Sequence, residues 1–191
     1  MKSNSKVLLG LGAIVLVIAF WFFGTMNNLV SMKEEVNSQQ SQVETTLQRR
    51  SDLIPNLVAT VKGYANHEEK VFTDIADARS KLAGSIDNGD IESINEANNA
   101  LNSALSRLLA ISENYPDLKA SEQFTALQDE LAGTENRIAV ARQHYNEKVK
   151  SYNTAVKSFP TSIVAGIGGY HAEQYFEADE SAKNVPTVSF D

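Results

Sequence analysis

The sequence predicts an all-α protein: an antiparallel up-and-down bundle of four helices preceded by one transmembrane helix. Three observations carry this. Apolar residues recur at helical spacing along most of the chain. Glycine and proline are sparse, and three of the four prolines fall at element boundaries. The stretch "VLLGLGAIVLVIAFWFF", Val7 to Phe23, carries no charge, and none appears between Lys6 and Lys33.

The amino-terminal run comes first. About 20 helical residues cross a hydrocarbon core of ~30 Å, so residues 7–28 suffice for a span, with residues 1–6 as a short tail before it. A cleaved signal peptide would have a shorter apolar region and small residues at a cleavage site. Here the run closes on Phe20-Trp21-Phe22-Phe23, a cluster suited to a membrane interface. Lys2 and Lys6 before the span, against Lys33 after it, favour the amino terminus inside.

Residues 29–160 are expected to form the bundle. A stripe runs from Leu29 through Met32, Val36, Val43, Leu47, Ile54, Leu57, Val61, Tyr64, Val71, Ile75 and Ala78 to Leu82. "GSIDNGD" then supplies a loop at Gly84, Asn88 and Gly89, with Asp90 as a helix cap. The next stripe runs from Ile91 to Ile111 and stops before Tyr115-Pro116. The longest later helix starts after Ser121 and carries Phe124, Leu127, Leu131, Ile138, Tyr145, Val149, Tyr152, Val156 and Phe159 on its inner face, up to Pro160.

Lengths constrain the connections. A straight helix over residues 29–82 would reach ~80 Å, against ~38 Å for the second stripe and ~57 Å for the third. A break near Pro55 gives four comparable helices that close one bundle and returns the last of them toward the membrane. Against a break, Val36, Val43, Leu57, Tyr64, Val71 and Ala78 keep a seven-residue phase across Pro55. A continuous helix kinked there satisfies that phase. Beyond Pro160, residues 161–191 read as an apolar link, "TSIVAGIGG", that lies on the bilayer or packs under the bundle, and an irregular acidic tail. Its last residues, "VPTVSFD", could fold back or add as a strand to a partner's sheet edge.

The residues offering chemistry lie in "LQRRSDLIPN". Arg50 occupies the place in the seven-residue series, between Val43 and Leu57, where a hydrophobe is expected. In one reading it is a buried guanidinium paired with Glu130 or Glu135 of the last helix, since a buried arginine is tolerated only when paired. In the other, Arg49 and Arg50 end one helix, Ser51 or Asp52 caps the next, and Pro55 sits in its first turn.

Other chemistry finds little footing. The net charge of −7 and a pI near 5.0 disfavour a phosphate-binding face, so no nucleic-acid partner is expected. There is no cysteine, no HExxH, no GxSxG and no phosphate loop. His67-Glu68-Glu69 diverge around a helix and make no ligand set. No catalytic residue, metal or cofactor is predicted, so the chain reads as a non-enzymatic binding protein, with a small-anion or lipid-headgroup sensor at Arg49 and Arg50 as the alternative.

The anchor, "LQRRSDLIPNLVATVKGYANHE", "LNSALSRLLAISENYPDLKASEQFTALQDELAGTENRIAVARQHYNEKVKSYNTAVKSFP" and "YFEADESAKNVPTVSF" together resemble the LemA family of bacterial membrane proteins. The resemblance covers nearly the whole chain. It implies a single-pass bacterial membrane protein with an antiparallel helical bundle and no catalytic residues; with the lysine asymmetry, an inner-membrane location with the bulk of the chain outside the cytoplasm is expected. Members look like companions of membrane stress-response metalloproteases in some bacteria. This implies a scaffold or adaptor that binds envelope proteins, such a metalloprotease among them, or copies of itself.

Overall fold

The computed structural model describes residues 2–65 and 67–177. These form six helices: α1 Lys2–Lys62, α2 Glu69–Asn88, α3 Ile91–Ser112, α4 Pro116–Lys119, α5 Glu122–Lys157 and α6 Thr161–Gly168. No strand occurs among the described residues, and the all-α class is the one the chain adopts. Both readings of "VPTVSFD", folded back or added as a strand to a partner's sheet, lie outside the described residues.

The expected break near Pro55 is absent. α1 continues through Pro55 and stops at Lys62, and α2 begins at Glu69, so the helices are separated there instead. The seven-residue phase across Pro55 was thus the signal of a continuous helix. Arg49, Arg50, Ser51 and Asp52 are interior helical residues, and the reading of them as a helix end and a cap does not hold.

The described chain divides into two compact units. One holds the chain up to Gln40 together with Tyr145–Gln174; the other holds Ser41–His144 and the described residues from Tyr175.

In the second unit, α1 beyond Ser41 forms four walls with α2, α3 and the first part of α5. Val43, Leu47, Ile54, Leu57 and Val61 of α1, spaced at sevens and their three-four subdivisions, are all buried. The same unit buries Phe72, Ile75 and Leu82 of α2, Ile94, Leu101 and Leu108 of α3, Leu118 of α4, and Phe124 and Ile138 of α5. Burying each such side chain contributes about 1.5–3 kcal/mol, so this apolar core is what holds the walls together. α2 and α3 meet through a tight turn. α2 runs through Asn88, past the loop expected from Gly84 onward, and the turn is made by Gly89, at φ 68°, and extended Asp90. The Gly89 N–H closes α2 on the carbonyls of Ser85 and Ile86, and Asp90 caps α3, accepting from the N–H of Ser93 at 2.9 Å.

In the first unit, Leu29 and Val36 of α1 pack with Tyr145, Val149, Tyr152 and Val156 of α5. Residues Tyr170 to Gln174 lack regular structure but are tied down. Asn153 donates to the Glu173 carbonyl at 2.8 Å and accepts from its N–H at 2.7 Å, and the Tyr145 hydroxyl donates to the Gln174 carbonyl at 3.0 Å. Burial, with Glu173 and Tyr170 as neighbours, raises the Tyr152 phenol above its ordinary value, so it stays protonated at neutral pH. "TSIVAGIG", expected as a flexible link, is helical: burial of Val164 and Ala165 overrides the low propensity of its glycines. Phe159, expected on the inner face of α5, is 82% exposed, because α5 stops at Lys157 before the spacing reaches it.

Two glycines separate propensity from backbone conformation. Gly84 lies inside α2 with open space where a Cβ would stand, so Gly84→Ala should raise stability in denaturant titration by about 0.5–1 kcal/mol. Gly89→Ala should lower it by about 1–2 kcal/mol, because the left-handed conformation penalises a Cβ. The side chain and backbone N–H of Ser93 hold the Asp90 carboxyl below its ordinary value of 3.8. The charged cap's contribution is therefore full above that value and fades as pH falls through the lowered one. Asp90→Asn, an equally good cap, should flatten this part of the acid dependence of thermal melting while leaving melting at pH 7 nearly unchanged.

Candidate functional site

Arg50 stands in the seven-residue row of α1 where Val36, Val43 and Leu57 place hydrophobes. It is 7% exposed, with buried Val43 and Leu57 one heptad to either side. Its Nη1 lies 2.6 Å from Oε2 of Glu135 on α5 and donates to Oδ1 of Asn98 on α3 at 3.5 Å. Glu135 is half-exposed and reaches inward from the surface of α5. Asn98 is fully buried, and its Nδ2 has no hydrogen-bond partner among the described residues. Arg50 thus links α1 to both α5 and α3.

The next residue links α1 to α2. In a regular helix the Ser51 carbonyl would accept from the N–H of residue 55, but Pro55 has none. Ser51 is buried, so water cannot easily satisfy the orphaned oxygen. Arg79 of α2 donates to it from Nε at 3.0 Å. The proline that suggested a break is accommodated by a guanidinium from the neighbouring helix. Arg50 and Ser51 together form one polar layer that touches all four walls of this unit.

The other predicted residues lie at the surface. Arg49 pairs with Glu130 at 2.9 Å, both substantially exposed, and Arg137 approaches the same carboxylate at 4.0 Å. Such pairs contribute little, typically below about 1 kcal/mol. Exposed Asp52 accepts from Gln48 at 3.0 Å within α1. Below these residues, Leu53, Asn56, Ala59 and Thr60 of α1 and Gln123, Ala126, Leu127 and Glu130 of α5 line an open groove of about 580 Å³. The order of facing residues, 49–60 against 135–123, shows that α1 and α5 are antiparallel here.

Sequence reading missed Asn98 and Arg79. Asn98 had a visible signal: it fills the core position between Ile94 and Leu101, as Arg50 does between Val43 and Leu57. With Asn95 and Asn102 it forms a stripe of amides at helical spacing on α3. Arg79 had none, because its acceptor is a backbone oxygen freed by a proline.

The groups of the layer are largely committed to each other. A guanidinium stays protonated at any accessible pH and so cannot relay a proton, and Glu135 serves as its counter-ion. No group of three or more His, Asp or Glu side chains capable of holding a metal occurs among the described residues. The arrangement can fix register and orientation of helices.

The sequence model for the LemA family matches residues 39–190. The chain belongs to the LemA family. That match contains the polar layer and the stretches of α1 and α5 that pair around it. This LemA-family chain is also 27% identical over 188 residues to magnetosome protein MamQ 2 of Paramagnetospirillum magneticum, covering 85% of this chain and 68% of the relative. The MamQ of Magnetospirillum gryphiswaldense is 27% identical over 186 residues, with the same coverage. Protein LemA of Metamycoplasma hominis is 27% identical over 171 residues, covering 87% of this chain and 76% of that one.

The pairing makes an asymmetric prediction for stability. Glu135→Ala leaves a guanidinium buried without its counter-ion and should cost about 2–4 kcal/mol, despite the exposure of Glu135. Arg50→Met keeps apolar volume, removes the charge and should cost less, about 1 kcal/mol. Urea unfolding of both variants measures the order; a Glu135→Ala cost below that of Arg50→Met would show that Arg50 does not rely on this carboxylate.

Proposed function

We propose that the chain is a membrane-anchored, non-enzymatic scaffold or adaptor that binds other envelope proteins or copies of itself. The observation that carries this is α1. Its first part is long and apolar enough to cross a membrane, with its side chains unburied, and the same unbroken helix supplies a wall of the bundle. A protein built this way keeps a binding surface at the membrane. The lysines flanking the apolar segment support an inner-membrane location with the amino terminus in the cytoplasm and the bundle outside it.

Two further features support binding over catalysis. Arg50, the buried charge of the bundle among the described residues, is used in an internal pair, and the surface exposes apolar side chains, Val140 of α5 and Tyr64 among them. The pairing of Arg50 with Glu135 weighs against an anion or headgroup sensor at this arginine, whose charge is already matched.

Photo-cross-linking residues placed singly at Val140 and at exposed Ser106 of α3, in full-length protein in cells, test the proposal. Discrete adducts to the same envelope protein, or to the chain itself, are expected by mass spectrometry. No adduct above background at either position, together with a monomer in detergent, would contradict it.

A further inference from the structure

α6 presents an apolar face that no described residue covers. Phe159 is 82% exposed, Ile163 53% and Ile167 69%, and the four-residue spacing puts the two isoleucines on one side of the helix, just beyond Phe159. The opposite side holds Val164 and Ala165, both buried. Residues 158–168 contain no charged side chain.

The position of this face along α1 says what covers it. Lys148 of α5 pairs with Glu35 of α1 at 2.7 Å. α5 runs antiparallel to α1 here, since Asn153 holds the Glu173 backbone while the Glu173 carboxylate pairs with Lys33, nearer the amino terminus than Glu35. Equal rise per residue then brings Lys157, the last residue of α5, about level with Met26. At the other end of α6, a Cβ on Gly168 would stand 3.0 Å from Cε of Met26. The carboxy-terminal end of α6 therefore lies beside Met26, near the height at which α5 stops. That height is one turn past Phe20-Trp21-Phe22-Phe23, where the apolar segment closes on exposed aromatic rings.

An uncharged helix with exposed isoleucines, set beside an aromatic belt, has the position and chemistry of an interfacial membrane segment. We infer that Phe159, Ile163 and Ile167 dip into the headgroup–acyl boundary of the same bilayer that α1 crosses, making α6 a second membrane contact. The inference rests on α1 being a membrane anchor. Its consequence is orientational: one span leaves a protein free to tilt and spin, and a second contact restricts both.

The absence of cysteine from the chain allows single nitroxide labels on full-length protein in phosphatidylethanolamine–phosphatidylglycerol vesicles. Labels are placed through Phe159→Cys, Ile163→Cys and Ile167→Cys, all at exposed positions. Leu16→Cys, within the apolar run, serves as the deep reference and Thr154→Cys, exposed on α5, as the aqueous one. Collision with oxygen relative to a water-soluble nickel chelate should be several-fold higher at 159, 163 and 167 than at 154, and below that at 16. Water-like ratios at 163 and 167 with a lipid-like ratio at 16 overturn the role of α6 and leave the anchor standing. Shielding of 163 and 167 from both reagents overturns it in favour of a protein-covered face. A water-like ratio at 16 overturns the anchor, and this inference with it.

Discussion

Two adjacent polar groups of α1, the Arg50 guanidinium and the Ser51 carbonyl, must be satisfied inside an otherwise apolar bundle, and three other helices supply the partners. Glu135 and Asn98 meet the first and Arg79 meets the second. An uncompensated buried charge costs several kcal/mol and an orphaned carbonyl about 1–3 kcal/mol, large fractions of a typical domain's stability. The apolar contacts of Leu47, Ile54 and Leu57 tolerate small slips of one helix along another. A guanidinium with one carboxylate in reach does not. The layer therefore fixes register, at a cost in stability that a purely apolar layer would avoid.

That view also explains why Pro55 sits where it does. A proline inside a helix removes one hydrogen bond and crowds the carbonyl four residues back. Here the freed carbonyl becomes the attachment point for α2, and the helix stays intact. The separation of α1 from α2 between Lys62 and Glu69 then takes the role expected of Pro55 and leaves α2 and α3 to complete four walls.

Much of this was legible in the sequence, for identifiable reasons. The apolar stripes gave the helices because burial dominates their energy, and Asp90 and Ser121 marked helix starts because caps are local. That Arg50 faces Glu130 or Glu135 of the last helix was one of two readings open from charge and position, and the surface pairing of Arg49 with Glu130 was in neither. What was misread depended on context at a distance. Length arithmetic favoured a break at Pro55, since it assumed one partner set for the whole of residues 29–82; the stretch from Leu29 to Val36 instead packs within its own unit with Tyr145–Val156. Helical spacing was carried one step too far at Phe159, and the glycines of α6 masked a helix that is held by packing. Arg79 could not be foreseen, since a backbone acceptor leaves no mark on the partner's sequence.

The claim that Arg79 substitutes for the bond Pro55 cannot make is open to a double-mutant cycle. Pro55→Ala restores an N–H opposite the Ser51 carbonyl, so the cost of Arg79→Met should shrink once residue 55 is alanine. Urea unfolding of the wild type, both single variants and the double variant should give a coupling of about 0.5–1.5 kcal/mol, the net value of one buried hydrogen bond. If Arg79→Met costs the same with proline or alanine at position 55, the Ser51 carbonyl is not what Arg79 is there to satisfy, and the account of the polar layer fails.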